Sequence, residues 1–117
     1  VKDAILRASE LDTRLVMRSL RNTERVLNNA AVERLVLKER DLGLALKFED
    51  IISEVAGVYP RVMIDGDMDA GAWSCGMVVG LIHDIPTCRD LIDRIMAEAD
   101  EIISVRLKRF TEDLRKD

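Results

Sequence analysis

At 117 residues and 13.2 kDa the chain is one domain at most, and size scaling would let roughly two thirds of its unfolded surface be buried. Aromatic residues make up only 3%, so a core must come from Leu, Ile, Val, Met and Ala, the material of packed helices rather than of a β-sandwich. A net charge of −4, with both signs interspersed, disfavours a nucleic-acid or anionic-membrane surface. Two cysteines and no secretory h-region point to reduced thiols and a cytoplasmic setting. The uncharged run from Ala70 to Ile82 is short of the ~20 residues that cross a bilayer, so no membrane span is expected.

Ala4, Ile5, Ala8 and Leu11 stand at helical spacing and predict a short amphipathic helix from Val1 to about Leu11. Nothing before Val1 can cap it, and the chain reads as a piece of something longer. Thr13 to Leu20 is the one expected strand. A lone strand cannot satisfy its own ladder, so its partner is expected in a second copy or in a missing part of the protein. Asn22 or Thr23 then caps a helix running through Val26, Leu27, Ala30, Ala31 and Leu35 to about Asp41, with Gly43 beyond its end. Phe48 to Val55 is a shorter helix, with Glu49 and Asp50 in the first turn and Gly57 closing it. Pro60 begins a further turn over Arg61 to Asp65.

The stretch from Gly66 to Pro86 holds the only Trp, the only His, one of the two Cys and four of the six Gly. Read as a helix, it places Ala72, Gly76 and Gly80 four residues apart, a small-residue strip on which another backbone or a flat ligand can lie, with Trp73 and Met77 as an i, i+4 pair beside it. Local packing is the stronger reason for such a strip. Cys75, His83, Asp84 and Cys88 fit no compact zinc spacing, and Ser74 with His83 lacks a nucleophile elbow. His83 reads as a helix end, where its cationic form meets the dipole. Asp65, Asp67 and Asp69 lack the glycine and the bidentate Glu of a calcium loop and read as helix N-terminal charge. Arg14, Arg18, Arg21 and Arg25 have no glycine-rich loop beside them for a phosphate. Thr87-Cys88-Arg89-Asp90 fits a capping box. The helix after it carries Leu91, Ile92, Ile95, Met96, Ala99, Ile102, Ile103, Leu107 and Phe110 along one stripe, before a fraying end.

Gly66-Asp67-Met68-Asp69-Ala70-Gly71-Ala72-Trp73-Ser74-Cys75-Gly76, followed by Gly80-Leu81-Ile82-His83-Asp84-Ile85-Pro86 and an apolar helix with Ala97-Glu98-Ala99, resembles the C-terminal part of the nitronate monooxygenase family, formerly called 2-nitropropane dioxygenases. The related flavin-dependent enoyl-acyl-carrier-protein reductases have a similar segment, and Leu20-Arg21-Asn22-Thr23 resembles the segment after the family's barrel. The resemblance implies a mostly α chain with one short strand, the C-terminal fragment of an FMN-binding TIM-barrel enzyme whose barrel is absent from these residues. It divides the chain into 1–21, the end of the preceding region plus a strand; 22–65, a helical subdomain; and 66–117, a pocket helix and a long C-terminal helix.

The resemblance further implies that the parent enzyme oxidises alkyl nitronates to carbonyl compounds and nitrite with oxygen, using FMN that this fragment alone does not hold. Catalytic groups and phosphate loops belong to the barrel, so no catalytic residue is assigned here and the fragment is expected to be inactive alone. Only Trp73, Ser74, Cys75, Gly76 and Met77 carry over, as a substrate-pocket wall; Met77 stands where the family commonly has Gln. Expected partners are the missing barrel, the nitronate and oxygen, with the fragment self-associating through its strand and apolar surface. The rival reading is a free-standing helical module that dimerises through Thr13–Leu20 and the final helix.

Overall fold

The computed structural model describes residues 1–109 in two compact units, Val1–His83 and a second that begins at Asp84. In the first unit, Lys2–Arg7 forms helix α1. A 3-10 turn, Glu10–Asp12, follows, and Ser9 and Asp12 close a reciprocal capping box on it: the Asp12 carboxylate accepts from the Ser9 amide at 2.7 Å.

Strand β1, Thr13–Val16, does not wait for a second copy. It pairs antiparallel with β2, Glu24–Leu27, in the register Thr13 to Leu27 and Val16 to Glu24. The expectation of one unpaired strand is therefore corrected to a hairpin within the chain, and the fold is mostly helical with two short strands. The connection closes on itself, the Asn22 amide bonding the Met17 carbonyl at 3.2 Å, with Met17 and Arg21 both at positive φ. Two of the four arginines serve the hairpin: Arg25 donates to Thr13 Oγ1 at 2.8 Å and Arg14 to Asn28 Oδ1 at 2.9 Å.

The helix expected from Asn22 onward starts later. Val26 and Leu27 are buried as strand residues, and α2, Ala30–Leu42, begins only after Asn29, whose Oδ1 accepts from the Val32 amide at 2.9 Å. Its inward face carries Ala31, Val32 and Leu35. Helix α3, Phe48–Val55, has the bounds that its sequence implies, and the Asp50 carboxylate accepts from the Lys47 amide at 2.8 Å. Gly57, at φ 65, turns the chain into α4, Val58–Pro60, which widens to a π turn over Arg61–Asp65 and stops at Gly66 with φ 74.

Two apolar clusters result. Val16, Met17, Val26, Val32, Leu35, Leu46, Ile51 and Ala72 form one. Leu27, Val58, Val62, Ala70, Trp73, Cys75 and Val79 form the other, on which Ile5 and Ala8 also pack. Adjacent β2 residues feed both, because successive strand side chains point to opposite faces.

In the second unit, α5 runs Cys88–Glu101 and continues as π-type turns over Ile102–Leu107. Thr87 caps it by accepting from the Asp90 amide at 3.2 Å. The return half of the expected box differs: Asp90 accepts from the Thr87 hydroxyl at 2.6 Å. Arg94 grips Asp84 through both guanidinium ends, at 3.0 and 3.2 Å, which raises the arginine's pKa further. The expected stripe is present, and Leu91, Ile92, Ile95, Met96, Ile102, Ile103 and Leu107 are all exposed. Phe110 and the end expected to fray lie outside the described residues. No helix among the described residues is long and apolar enough to cross a membrane.

Candidate functional site

Residues 72–76 are extended, which corrects the expectation of a pocket helix there. The Leu27 amide bonds the Trp73 carbonyl at 3.3 Å and the Cys75 amide bonds the Arg25 carbonyl at 3.0 Å, so Ser74 faces Val26 as an antiparallel bridge on the hairpin. A short 3-10 helix, Met77–Leu81, follows. Ala72, Gly76 and Gly80 therefore do not form a helical strip. An apolar run this short does not by itself distinguish strand from helix, and pairing with β2 decides the matter.

The leading end of the segment is pinned. The Ala72 amide donates to the Glu54 carbonyl at 2.7 Å, at the end of α3. The Asn29 amide group donates to the carbonyls of Met68 at 2.8 Å and Gly71 at 2.9 Å. Gly71 must lack a side chain, because a Cβ there would stand 2.2 Å from Val58 Cγ2 and 2.5 Å from the Glu54 carbonyl oxygen. Gly80 is held in the same way by Glu10, whose amide nitrogen would lie 2.9 Å from an added Cβ. Gly76 is open, with only Val78 Cγ1 at 3.8 Å.

Of the residues assigned to a pocket wall, Trp73, Ser74, Cys75 and Gly76 line one recess of about 180 Å³, together with Val79 and Ile82. Met77 does not line it and is half exposed. Ile5 of α1 and Val78 complete the lining. The Trp73 ring is buried, with Nε1 donating to the Met68 carbonyl at 3.3 Å. The Cys75 thiol is buried and free, and burial pushes its pKa up, so it stays protonated and weakly polar.

Ser74 sits in a polar network that sequence reasoning missed. Its hydroxyl donates to Glu24 Oε1 of β2, its Oγ lies 2.7 Å from the Tyr59 hydroxyl, and its amide donates to that same hydroxyl oxygen at 3.1 Å. With the Ser74 proton on the carboxylate, Tyr59 is the donor of their shared bond. No local signal in the sequence could find Glu24 or Tyr59, which stand 50 and 15 positions away. Asn29 had a signal, the pair Asn28-Asn29 directly before Ala-Ala-Val.

His83 is exposed and lies just past the end of the 3-10 helix Met77–Leu81, next to its C-cap Ile82. Asp69 supplies helix N-terminal charge, to α2, accepting from the Ala30 amide at 3.0 Å, and Asp67 pairs with Arg61 at 2.7 Å. Cys88 is exposed and free. Among the described residues no group of three His, Cys, Asp or Glu gathers to hold a metal.

A flavin phosphate calls for several free main-chain N–H groups converging on one point. Here the amides of Ala72, Ser74 and Cys75 are all taken, and Gly71 and Gly80 are closed by the chain itself. These residues offer a wall and do not fit a phosphate cradle.

No family model matches the chain. A stretch of 37 residues, 32% of the chain, is 51% identical to the (3aS,4S,5R,7aS)-5-hydroxy-7a-methyl-1-oxo-octahydro-1H-indene-4-carboxyl-CoA dehydrogenase of Rhodococcus jostii (strain RHA1). A match of the same length is 38% identical to the Mycobacterium tuberculosis (strain ATCC 25618 / H37Rv) protein of that name, and each match covers 10% of the relative. FabK from Thermotoga maritima superposes with a TM-score of 0.76 at 23% identity, over 92% of this chain and 33% of FabK. A mutant of that FabK gives 0.68 at 22% identity, over 92% and 30%. The chain thus shares the fold of about a third of FabK and spans a small part of the curated relatives it matches.

Proposed function

We propose that this chain is the C-terminal, largely helical portion of an FMN-dependent oxidoreductase acting on an acyl group held as a thioester. The observation that carries the reading is the likeness to FabK, a flavin-dependent enoyl-acyl-carrier-protein reductase, over 92% of the chain at a TM-score of 0.76. The short matches to a carboxyl-CoA dehydrogenase favour the thioester, since carrier protein and coenzyme A present the same kind of acyl linkage. FMN, bound by other parts of the parent enzyme, supplies the redox chemistry. This chain contributes a wall, built from Trp73, Val79 and Ile82. No residue of the chain is assigned a catalytic role, and the chain alone is expected to be inactive.

A second reading keeps the nitronate substrate, R₂C=NO₂⁻ oxidised to a carbonyl compound and nitrite with oxygen, and rests on the Gly66–Gly76 motif. The two separate in one experiment on the longest protein encoded with this segment, purified with FMN. Anaerobic bleaching or reoxidation of the flavin by an alicyclic acyl-CoA, with no nitrite from propyl-2-nitronate in air, supports the thioester. Nitrite release with an unresponsive acyl-CoA assay supports the nitronate. A protein that carries no flavin overturns both.

A further inference from the structure

We propose that the apolar stripe on α5 is a homodimer interface, on which a second copy of this chain lies antiparallel with the two helices crossing at Ala99. Ile92, Ile95, Met96, Ile102, Ile103 and Leu107 are each 43–64% exposed, and no residue of α5 is buried. A helix of this length owes most of its stability to covering such a face. The stripe reads the same from either end: counting from Ala99, Met96 and Ile102 stand three residues away, Ile95 and Ile103 four, and Leu91 and Leu107 eight. A two-fold axis at Ala99 therefore sets Met96 of one copy beside Ile102 of the other, Ile95 beside Ile103, and Leu91 beside Leu107, with the small side chain where the helices come closest. Charge selects the same orientation. Cys88–Glu101 carries five acidic and two basic residues, whereas 102–109 carries three basic residues and no acidic one. Antiparallel packing brings Arg106 and Lys108 to the turn that carries Asp90 and Asp93 of the other copy, and parallel packing lays each half on its own like charge. Glu98 and Asp100 gather near the axis and oppose it, but both are exposed and screened by water. The stripe offers on the order of 600 Å² per copy, so a pair covers about 1,200 Å², where stable interfaces begin.

This interface is independent of the thioester reading, and its test needs neither flavin nor turnover. Cys88, free and exposed, reports the orientation. It opens α5 eleven residues before Ala99, on the line of the stripe. Parallel helices would bring two Cys88 thiols together, whereas antiparallel ones hold them about 33 Å apart at 1.5 Å per residue, far beyond the reach of a disulfide. Oxidised with diamide at tens of micromolar, the wild-type 117-residue chain should therefore stay unlinked on a non-reducing gel. Cys88→Ser combined with Ala99→Cys should crosslink, because position 99 meets its own copy at the axis. Cys88→Ser alone is the control and should not link, since Cys75 is buried. Arg106→Glu combined with Lys108→Glu should weaken the dimer about tenfold at low salt, by sedimentation, and less at high salt. A disulfide-linked wild type puts the helices parallel and overturns the proposal, as does an unlinked Ala99→Cys variant with unchanged helix content. An unaltered dimer in the Arg106→Glu, Lys108→Glu chain overturns the pairing of the ends.

Discussion

The Asn29 side-chain amide donates to the Gly71 carbonyl at 2.9 Å and to the Met68 carbonyl beside it, while the Asn29 oxygen caps α2. One side chain thus ties the start of a helix to the segment that walls the recess. Asn29→Ala removes the cap, at a cost of about 1 kcal/mol, and strands two carbonyls at about 1 kcal/mol or more each. The expected loss of stability is about 2–3 kcal/mol in urea unfolding. Asn29→Ser keeps a capping oxygen and loses the donor, so it should fall between the wild type and Asn29→Ala. A Ser variant as unstable as the Ala variant would locate the whole effect in the bonds to the Met68 and Gly71 carbonyls.

Gly71 and Gly76 should respond oppositely to the same methyl group. At Gly71 the methyl meets the Glu54 main chain and Val58, and neither retreats without moving a helix end, so Gly71→Ala should cost about 2 kcal/mol or more. Gly76→Ala enters open space and should change stability by less than about 0.5 kcal/mol. Paired denaturation curves decide; equal effects would mean that the extended segment is not seated against α3 as described.

Glu54 gives the chain a component of acid sensitivity. Burial pushes its carboxyl up, but hydrogen bonds from Ser53 and Lys38, with the charge of Lys38, outweigh that and hold it below the ordinary glutamate value. A carboxyl depressed in the folded state stabilises above its unfolded pKa and loses that contribution as pH falls through the folded one. Asp12, held down by the Ser9 amide and hydroxyl, acts in the same direction. Stability should therefore be level near neutrality and fall below the ordinary glutamate pKa. Glu54→Gln should flatten part of that acid limb and cost about 1–3 kcal/mol at pH 7, since the side chain is buried and Lys38 loses its partner. An unchanged acid limb in Glu54→Gln would assign the sensitivity elsewhere.

What the sequence discloses here is what is decided locally. Phe48–Val55 is legible because Asp50, three residues after Lys47, marks its start and the apolar spacing is helical. Val26 and Leu27 suit a helix equally well by spacing, and only β1 on one side and Ser74 on the other make them a strand. The glycines mislead for the same reason. Gly76 and Gly80 stand four apart by coincidence, and the need at Gly71 and Gly80 comes from Val58, Glu54 and Glu10, contacts no spacing rule sees. The candidate site is half legible: the rarity of Trp73 and its neighbours draws attention to four lining residues, whereas Glu24, Tyr59 and Ile5 arrive from distant elements.

The flavin expectation is checked by eye and by spectrum. With the amides of residues 72, 74 and 75 all engaged, the 117-residue chain should purify colourless and bind no FMN in equilibrium dialysis. A yellow protein with one FMN per chain would require a phosphate site that these residues do not form.

The hairpin removes one motive for self-association and leaves the other. β1 has its partner in β2, so strand exchange between copies is no longer needed. The stripe on α5 still presents Ile92, Ile95, Met96, Ile102 and Ile103 to solvent, with exposures from 43% to 64%, opposite a face bearing Arg89, Asp93, Arg94 and Glu98. Water gains by covering such a surface at about 25 cal/mol per Å², and for the isolated chain a second copy is the available cover. The 117-residue chain should sediment as a dimer or larger at tens of micromolar, and Ile92→Lys combined with Ile103→Lys should return it to a monomer without loss of helix by circular dichroism. Ile92 lies in α5 and Ile103 in the π-type turns that continue it, and lysine is a good helix former, so a fall in helicity would not be expected from propensity alone. A wild-type chain that stays monomeric across that range overturns the expectation.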